Sequence, residues 1–168
     1  MPFAVTHVLL TIILVDIYRD YVVKHKKYFT LHTIFFAGVA GLLPDIDLIL
    51  NLFLNFFGLS IAHKTITHTP LFGLIFLIPG IMLWWKKKHK EALYFIVACF
   101  GILFHIALDY LFTGDGYGIM FLYPFSAQMF DLNLLSGLST TAIAGIDAII
   151  LLVWLWHEEI KHKISDFI

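Results

Sequence analysis

The chain has 168 residues, 60% of them hydrophobic and only 14% charged, with a mean hydropathy of +0.88. So little charge over that length excludes an ordinary water-soluble domain and points to a polytopic helical membrane protein. The net charge of −1 excludes a general basic surface for nucleic acid, and the single cysteine, Cys99, excludes an intramolecular disulfide or a paired-cysteine metal knuckle.

About five spans are expected. The first covers residues 3–23, with His7 near one end. Toward its other end, Asp16-x-x-Arg19-Asp20 has the i, i+3 and i+4 spacing of an intrahelical ion pair. These charges, and the lack of a small-residue cleavage site, argue against a cleavable signal peptide. A basic loop follows at Lys24, His25, Lys26 and Lys27. The second span, 29–57, is longer than the ~20 residues of a straight crossing. It contains Pro44-Asp45-Ile46-Asp47. Proline cannot donate a backbone hydrogen bond and clashes with the carbonyl four residues back, here Ala40, so the helix is predicted to kink or break. A charge at bilayer depth costs at least ~2.5–3.5 kcal/mol on insertion scales. A bound cation is the simplest compensation for two carboxylates there.

A polar segment at 60–69 carries His63-Lys64-Thr65-Ile66-Thr67-His68-Thr69. Thr69-Pro70 is a capping hydroxyl followed by proline at the first helical position, and predicts the start of a third span over 70–85. Trp84 and Trp85 suit an interfacial belt. Lys86, Lys87, Lys88, His89 and Lys90 form a second basic loop. The fourth span, 91–112, carries His105 and Asp109. Residues 113–138 are glycine-rich, aromatic and unusually apolar for a loop. Long connections inside a compact domain are usually functional, and a re-entrant segment or lid over the mouth of the bundle is expected. The fifth span, 139–156, has Asp147 near its centre, and a polar tail ends the sequence. Residues 1–168 read as a single domain, an all-α transmembrane bundle.

Nine of the 11 Lys and Arg residues lie in the two basic loops and the tail. Five spans put those three regions on one side, which the positive-inside rule makes cytoplasmic, with the N-terminus outside and the C-terminus inside. On that frame His7, Asp45, Asp47, His63, His68, His105 and Asp109 fall at one depth on the extracytoplasmic side. His105 and Asp109, at i and i+4, share a helix face. Histidine and carboxylate donors without thiolate suit Zn, Mn or Fe. Four histidines and three carboxylates exceed the needs of one tetrahedral ion and allow two, bridged by a carboxylate. Spacing does not choose between His63 and His68. Lys64 is the one other cation nearby, suited to a phosphate or a developing oxyanion. Asp47 is suited to relaying a proton.

The ordered set His7, Pro44-Asp45-Ile46-Asp47, His63-Lys64-x-x-Thr67-His68-Thr69, His105-x-x-Leu108-Asp109 and Leu122-Tyr123-Pro124-Phe125-Ser126 resembles the YdjM-type membrane-bound metal-dependent hydrolases. That family is similar to the zinc-dependent phospholipase C and P1 nuclease group. The resemblance implies His7, Asp45, His68, His105 and Asp109 as ligands, Asp109 as a bridge and two zinc ions in a multi-pass inner-membrane protein. Family members often carry Arg at the place of Lys64 and Ser at the place of Thr69. The further C-terminal zinc motif of the soluble enzymes has no counterpart, so a third metal is not expected.

The expected function is hydrolysis of a phosphoester in a lipid or lipid-linked substrate. The bilayer is the only partner implied, and the oligomeric state is left open. The competing reading is a metal-ion or proton transporter, for which Asp16, Asp20 and Asp147 would have to continue the polar path. An intramembrane metalloprotease is disfavoured by the lack of H-E-x-x-H.

Overall fold

The computed structural model describes residues 4–23, 28–112 and 118–163. The first basic loop, at Lys24, His25, Lys26 and Lys27, lies outside the described residues, as do Gly114, Gly116 and Tyr117 of the long connection. The chain forms two compact units, Met1–Ser136 and Gly137–Ile168.

In the first unit, α1 (Ala4–Tyr21) and α2 (Leu31–Ala40) precede the expected break. Thr30 and Thr33 close a capping box at the start of α2. The helix ends at Gly41, and Leu43–Asp45 forms one 3-10 turn with Pro44 at its start. There the Asp45 N–H bonds Leu42 O at 3.1 Å. In an unbroken helix it would bond the carbonyl of Gly41, four residues back. The tighter turn therefore leaves the Gly41 carbonyl without its helical donor. The chain then bends by 42° into α3 (Ile46–Leu54) and a second 3-10 turn, Asn55–Phe57.

Another 3-10 turn, Ile66–His68, leads into α4 (Pro70–Trp85). Thr69 caps α4 as its sequence predicts: its Oγ1 accepts the Phe72 N–H at 3.3 Å and donates to Ile66 O at 2.9 Å. α5 (His89–Phe112) is the central helix, packed against α4, α2 and α1. Gly101 sets how closely α5 approaches α2. A Cβ there would stand 3.0 Å from both Ala37 O and Gly41 N, backbone atoms that cannot swing aside. Two apolar clusters lie along α5. One joins Val15, Ile34, Ala37, Leu93 and Val97, and the other joins Ile102, Ile106 and Ile119. Cys99 is a buried core residue.

After α5, the described part of the long connection is irregular but docked. Ile119 and Phe130 form an isolated antiparallel bridge, and the N–H groups of Leu132 and Leu134 bond the carbonyls of Tyr110 and Leu111 at 2.9 Å. Ile119 is fully buried, whereas Phe125 is 89% exposed. The Asp16–Arg19–Asp20 pairing forms as its spacing predicts, with Arg19 Nη2 at 2.8 Å from Asp16 and Nε at 3.0 Å from Asp20. The second unit is α6 (Thr140–His162), capped by the Ser139 hydroxyl, and it carries Asp147.

By length and composition, α5 and α6 can each cross a membrane, and α2 with the bent α3 can make a third span. α4 has 16 residues and is a shorter apolar helix. α1, although apolar on average, carries Asp16, Arg19 and Asp20. In the first unit the polarity is inverted relative to a water-soluble protein. His7, His68, His105, Asp47 and Asp109 are buried, while Phe56, Phe57 and Trp85 face outward. Such a surface suits lipid as its solvent.

The close approach at Gly101 gives a direct test. Gly101→Ala lowers stability by about 1–3 kcal/mol through overpacking. Gly145→Ala on α6, where nothing lies within 4 Å, is neutral or stabilising by up to about 1 kcal/mol. Unfolding of the detergent-solubilised variants compares the two.

Candidate metal centre

The broken helix, the turn before α4 and the last third of α5 bring four donor atoms to one point. His68 Nε2 lies 3.5 Å from Asp45 Oδ1 and 3.6 Å from Asp109 Oδ2. His105 Nε2 lies 3.6 Å from Asp45 Oδ1 and 3.8 Å from the same Asp109 oxygen. These are four edges of one polyhedron. Tetrahedral ligands at about 2.0–2.2 Å from a cation stand about 3.3–3.6 Å apart. Along those four edges the spacing is close to that around a four-coordinate divalent ion.

A second observation makes the same point. His68 Nε2, His105 Nε2 and Asp109 Oδ2 are buried and have no hydrogen-bond partner. An unsatisfied buried polar atom costs about 1–3 kcal/mol, and here three of them converge. A cation would satisfy all three at once.

Each histidine is held in the tautomer this requires. His105 Nδ1 lies 2.6 Å from Gly41 O. A carbonyl can only accept, so Nδ1 carries the hydrogen and Nε2 keeps its lone pair. That acceptor is the carbonyl released by the 3-10 turn at Pro44. His68 Nδ1 lies 3.1 Å from Thr67 Oγ1, and the Thr67 hydroxyl donates to Asp47 Oδ2 at 3.2 Å. Having given its one hydrogen to the carboxylate, the hydroxyl can only accept from His68. His68 Nε2 is therefore also a bare lone pair.

His7 stands beside this quartet. Its ring stacks on His105 with centroids 3.9 Å apart, and its Nε2 is 3.3 Å from Asp109 Oδ1. Asp109 thus turns one oxygen to the quartet and the other to His7. His7, His105 and Asp109 form one grouping with metal-ligand spacing, and Asp45, His63 and His68 form another. His63 therefore stays beside His68 as a donor, through an Nε2 that is buried and unpartnered.

Asp47 sits elsewhere. Asp45 closes the 3-10 turn, whereas Asp47 is in the first turn of α3, where the helix N-terminus favours an acid. Two residues turn the direction by roughly 200° on a helix. Both Asp47 oxygens are 3.0 Å from His63 Nδ1, and one also takes the Thr67 hydroxyl. Asp47 faces the backs of the histidines, not the donor quartet. Burial pushes the His63 imidazole down, but the hydrogen-bonded Asp47 carboxylate outweighs this and holds it above its ordinary value; neighbouring Lys64 opposes the rise. Lys64 is buried, with its backbone in the left-handed region at φ 61°. That conformation costs a residue other than glycine about 1 kcal/mol.

One edge of the centre is open. The side chains of Asp45 and His63 are 22% and 24% exposed, against 2% or less for His7, His68, His105 and Asp109.

The family model described as YdjM inner membrane protein matches residues 1–165. The chain belongs to the YdjM inner membrane protein family. No curated protein and no solved structure matches it. Among the residues of this YdjM chain that orient the candidate centre, Gly41 carries no signal of its own as an acceptor. Thr67 could have been suspected, because it precedes His68 at the end of a run with an acid to pair. A backbone carbonyl leaves no mark in a sequence beyond the proline that frees it.

The quartet predicts a divergence among variants. His105→Ala and Asp109→Ala each lose bound divalent metal, whereas Lys64→Ala retains it. Elemental analysis of protein purified without chelators measures the difference. Background metal in the unmodified protein would refute the centre.

Proposed function

We propose that this YdjM chain is a membrane-embedded, metal-dependent hydrolase acting on a phosphoester in a lipid or lipid-linked substrate. The observation that carries the proposal is the convergence of Asp45 Oδ1, His68 Nε2, His105 Nε2 and Asp109 Oδ2 at 3.5–3.8 Å, open on one edge. A structural site is closed, whereas a catalytic one keeps a position for substrate or water. The histidine and carboxylate donors favour zinc, with manganese or iron as alternatives. Asp109 and His7 would help to hold a second ion, since the two Asp109 oxygens face different histidines. A divalent cation supplies Lewis acidity to a phosphoryl oxygen and activates water for attack.

The chain's own residues do the rest. Gly41 and Thr67 keep the histidine lone pairs aimed inward. Asp45 and His63 form the entrance. Lys64, fixed in its left-handed turn between His63 and the 3-10 turn of His68, supplies positive charge for a phosphate and for the charge that builds up in the transition state. A kinship of the YdjM family with the zinc-dependent phospholipase C and P1 nuclease group, which the resemblance implies, would bring the same chemistry. The apolar surroundings of the entrance, with Ile61 and Ile66 exposed on either side of His63, support a substrate with acyl or polyprenyl character.

The same proposal includes five spans, with α1 and α4 crossing as well, the N-terminus outside and the C-terminus inside. In that arrangement the docked connection 118–136 covers the outer end of α5 as a lid. A transporter finds less support. Asp16 and Asp20 are engaged with Arg19, which leaves them poorly placed to carry an ion onward.

Hydrolysis of a generic phosphodiester and of phospholipid, assayed with the metal-loaded protein, tests the proposal. Lys64→Ala lowers turnover by about 100-fold or more with metal content unchanged, the scale of losing one stabilising donor. A Lys64→Ala protein with full turnover would remove that role, and an inert metal-loaded parent would remove the hydrolase. For topology, a cysteine introduced at Lys87 stays unlabelled by an impermeant thiol reagent added to intact cells; labelling there would invert the orientation.

A further inference from the structure

We infer that Asp47 is a positioning residue that orients two histidines at once, His63 directly and His68 through Thr67, and is not itself a ligand. The inference rests on the metal-centre reading above. Asp47 is fully buried, and its carboxylate is already engaged by the chain. Both of its oxygens stand 3.0 Å from His63 Nδ1, and Oδ2 also accepts the Thr67 hydroxyl at 3.2 Å. Its distance to His68 Nδ1 is 3.9 Å, too long for a hydrogen bond, and the Thr67 oxygen closes that gap at 3.1 Å from the ring. Hydrogens thus run one way, from His68 Nδ1 to Thr67, and from Thr67 to Asp47. A carboxylate accepts only, so it ends the chain and fixes its direction.

The consequence lies on the far side of both rings. His63 Nε2 and His68 Nε2 are both buried without partners. The rings stand edge to face, with centroids 5.0 Å apart. One carboxylate therefore determines which nitrogen each ring presents, and both of those nitrogens are buried. A carboxylate behind a metal-ligating histidine typically accounts for about 10–100-fold in metal affinity. Asp47 has two such histidines in front of it, and Thr67 serves only one. The two variants should differ accordingly.

Three substitutions test this in the full-length, detergent-solubilised protein: Asp47→Asn, Thr67→Val and Thr67→Ser. Zinc affinity is read by competition with a chromophoric chelator, and coordination number by the visible spectrum of the cobalt-loaded protein. The expected result is full metal stoichiometry and an unchanged cobalt spectrum in all three. Zinc affinity falls by about 10-fold in Thr67→Val, by up to about 100-fold in Asp47→Asn, and returns in Thr67→Ser. Loss of a metal equivalent or a changed cobalt spectrum in Asp47→Asn would make Asp47 a ligand and overturn the inference.

A readout without metal separates this inference from the reading beneath it. Nitrogen-15 spectra of histidine-labelled, metal-free protein should show His68 protonated at Nδ1. That preference should be lost in Thr67→Val and kept in Thr67→Ser. His68 protonated at Nε2, or indifferent to Thr67→Val, would refute the relay even where metal binds. If the parent binds no metal, the metal-centre reading fails by itself, and the tautomer of His68 still decides whether the relay exists.

Discussion

The centre depends on one hydrogen bond, from His105 Nδ1 to the carbonyl of Gly41 at 2.6 Å. Its acceptor exists only because the helix stops there. With Asp45 N–H bonded to Leu42 O in a 3-10 turn, the Gly41 carbonyl is left over inside an apolar interior. Such a group must find a donor, and the His105 ring supplies it. The bond that satisfies the broken helix is thus the bond that aims the imidazole. Gly101, one turn earlier on α5, lets the two backbones come close enough for the side chain to reach. Proline, glycine and histidine here form one device spread over two helices.

A related economy holds on the loop side. Asp45 and Asp47 are two residues apart, and the junction between the 3-10 turn and α3 sends them to different tasks. Asp45 joins His68 and His105 at the partly exposed edge, while Asp47 retreats behind His63 and Thr67. A continuous helix would also have separated them, but it would have kept the Gly41 carbonyl for itself. The break decides both the direction of Asp45 and the availability of that carbonyl.

Much of this was legible from residue types alone. Acids inside apolar runs are costly, so Asp45 and Asp109 had to have partners, and the histidines at 7, 63, 68 and 105 were the available ones, with 63 and 68 not told apart. Pro44 announced the break, Thr69-Pro70 announced the start of α4, and Asp16-x-x-Arg19-Asp20 announced its own ion pair. The separation of Asp45 from Asp47 is what a regular helix would give, but the break at Pro44 hid from the sequence whether that divergence survives. The role of Gly41 was hidden because its working part is backbone. The number of crossings was also less legible than the hydropathy suggested. Charges in α1 and the shortness of α4 leave only α5, α6 and the bent α2–α3 pair long and apolar enough by themselves. The apolar character of residues 118–136 signalled burial correctly at Ile119, but gave no sign that the backbone of Leu132 and Leu134 would tie to the end of α5.

No single helix of the first unit supplies more than two of the converging groups. The donors at positions 7, 45, 68, 105 and 109 arrive on α1, the broken α2–α3 junction, the turn before α4, and α5. During synthesis His7, Asp45 and His68 are therefore made before His105 and Asp109, and α5 brings the last two donors. Completion of the cluster requires that every preceding segment has reached its register, which makes the candidate centre a gauge of assembly.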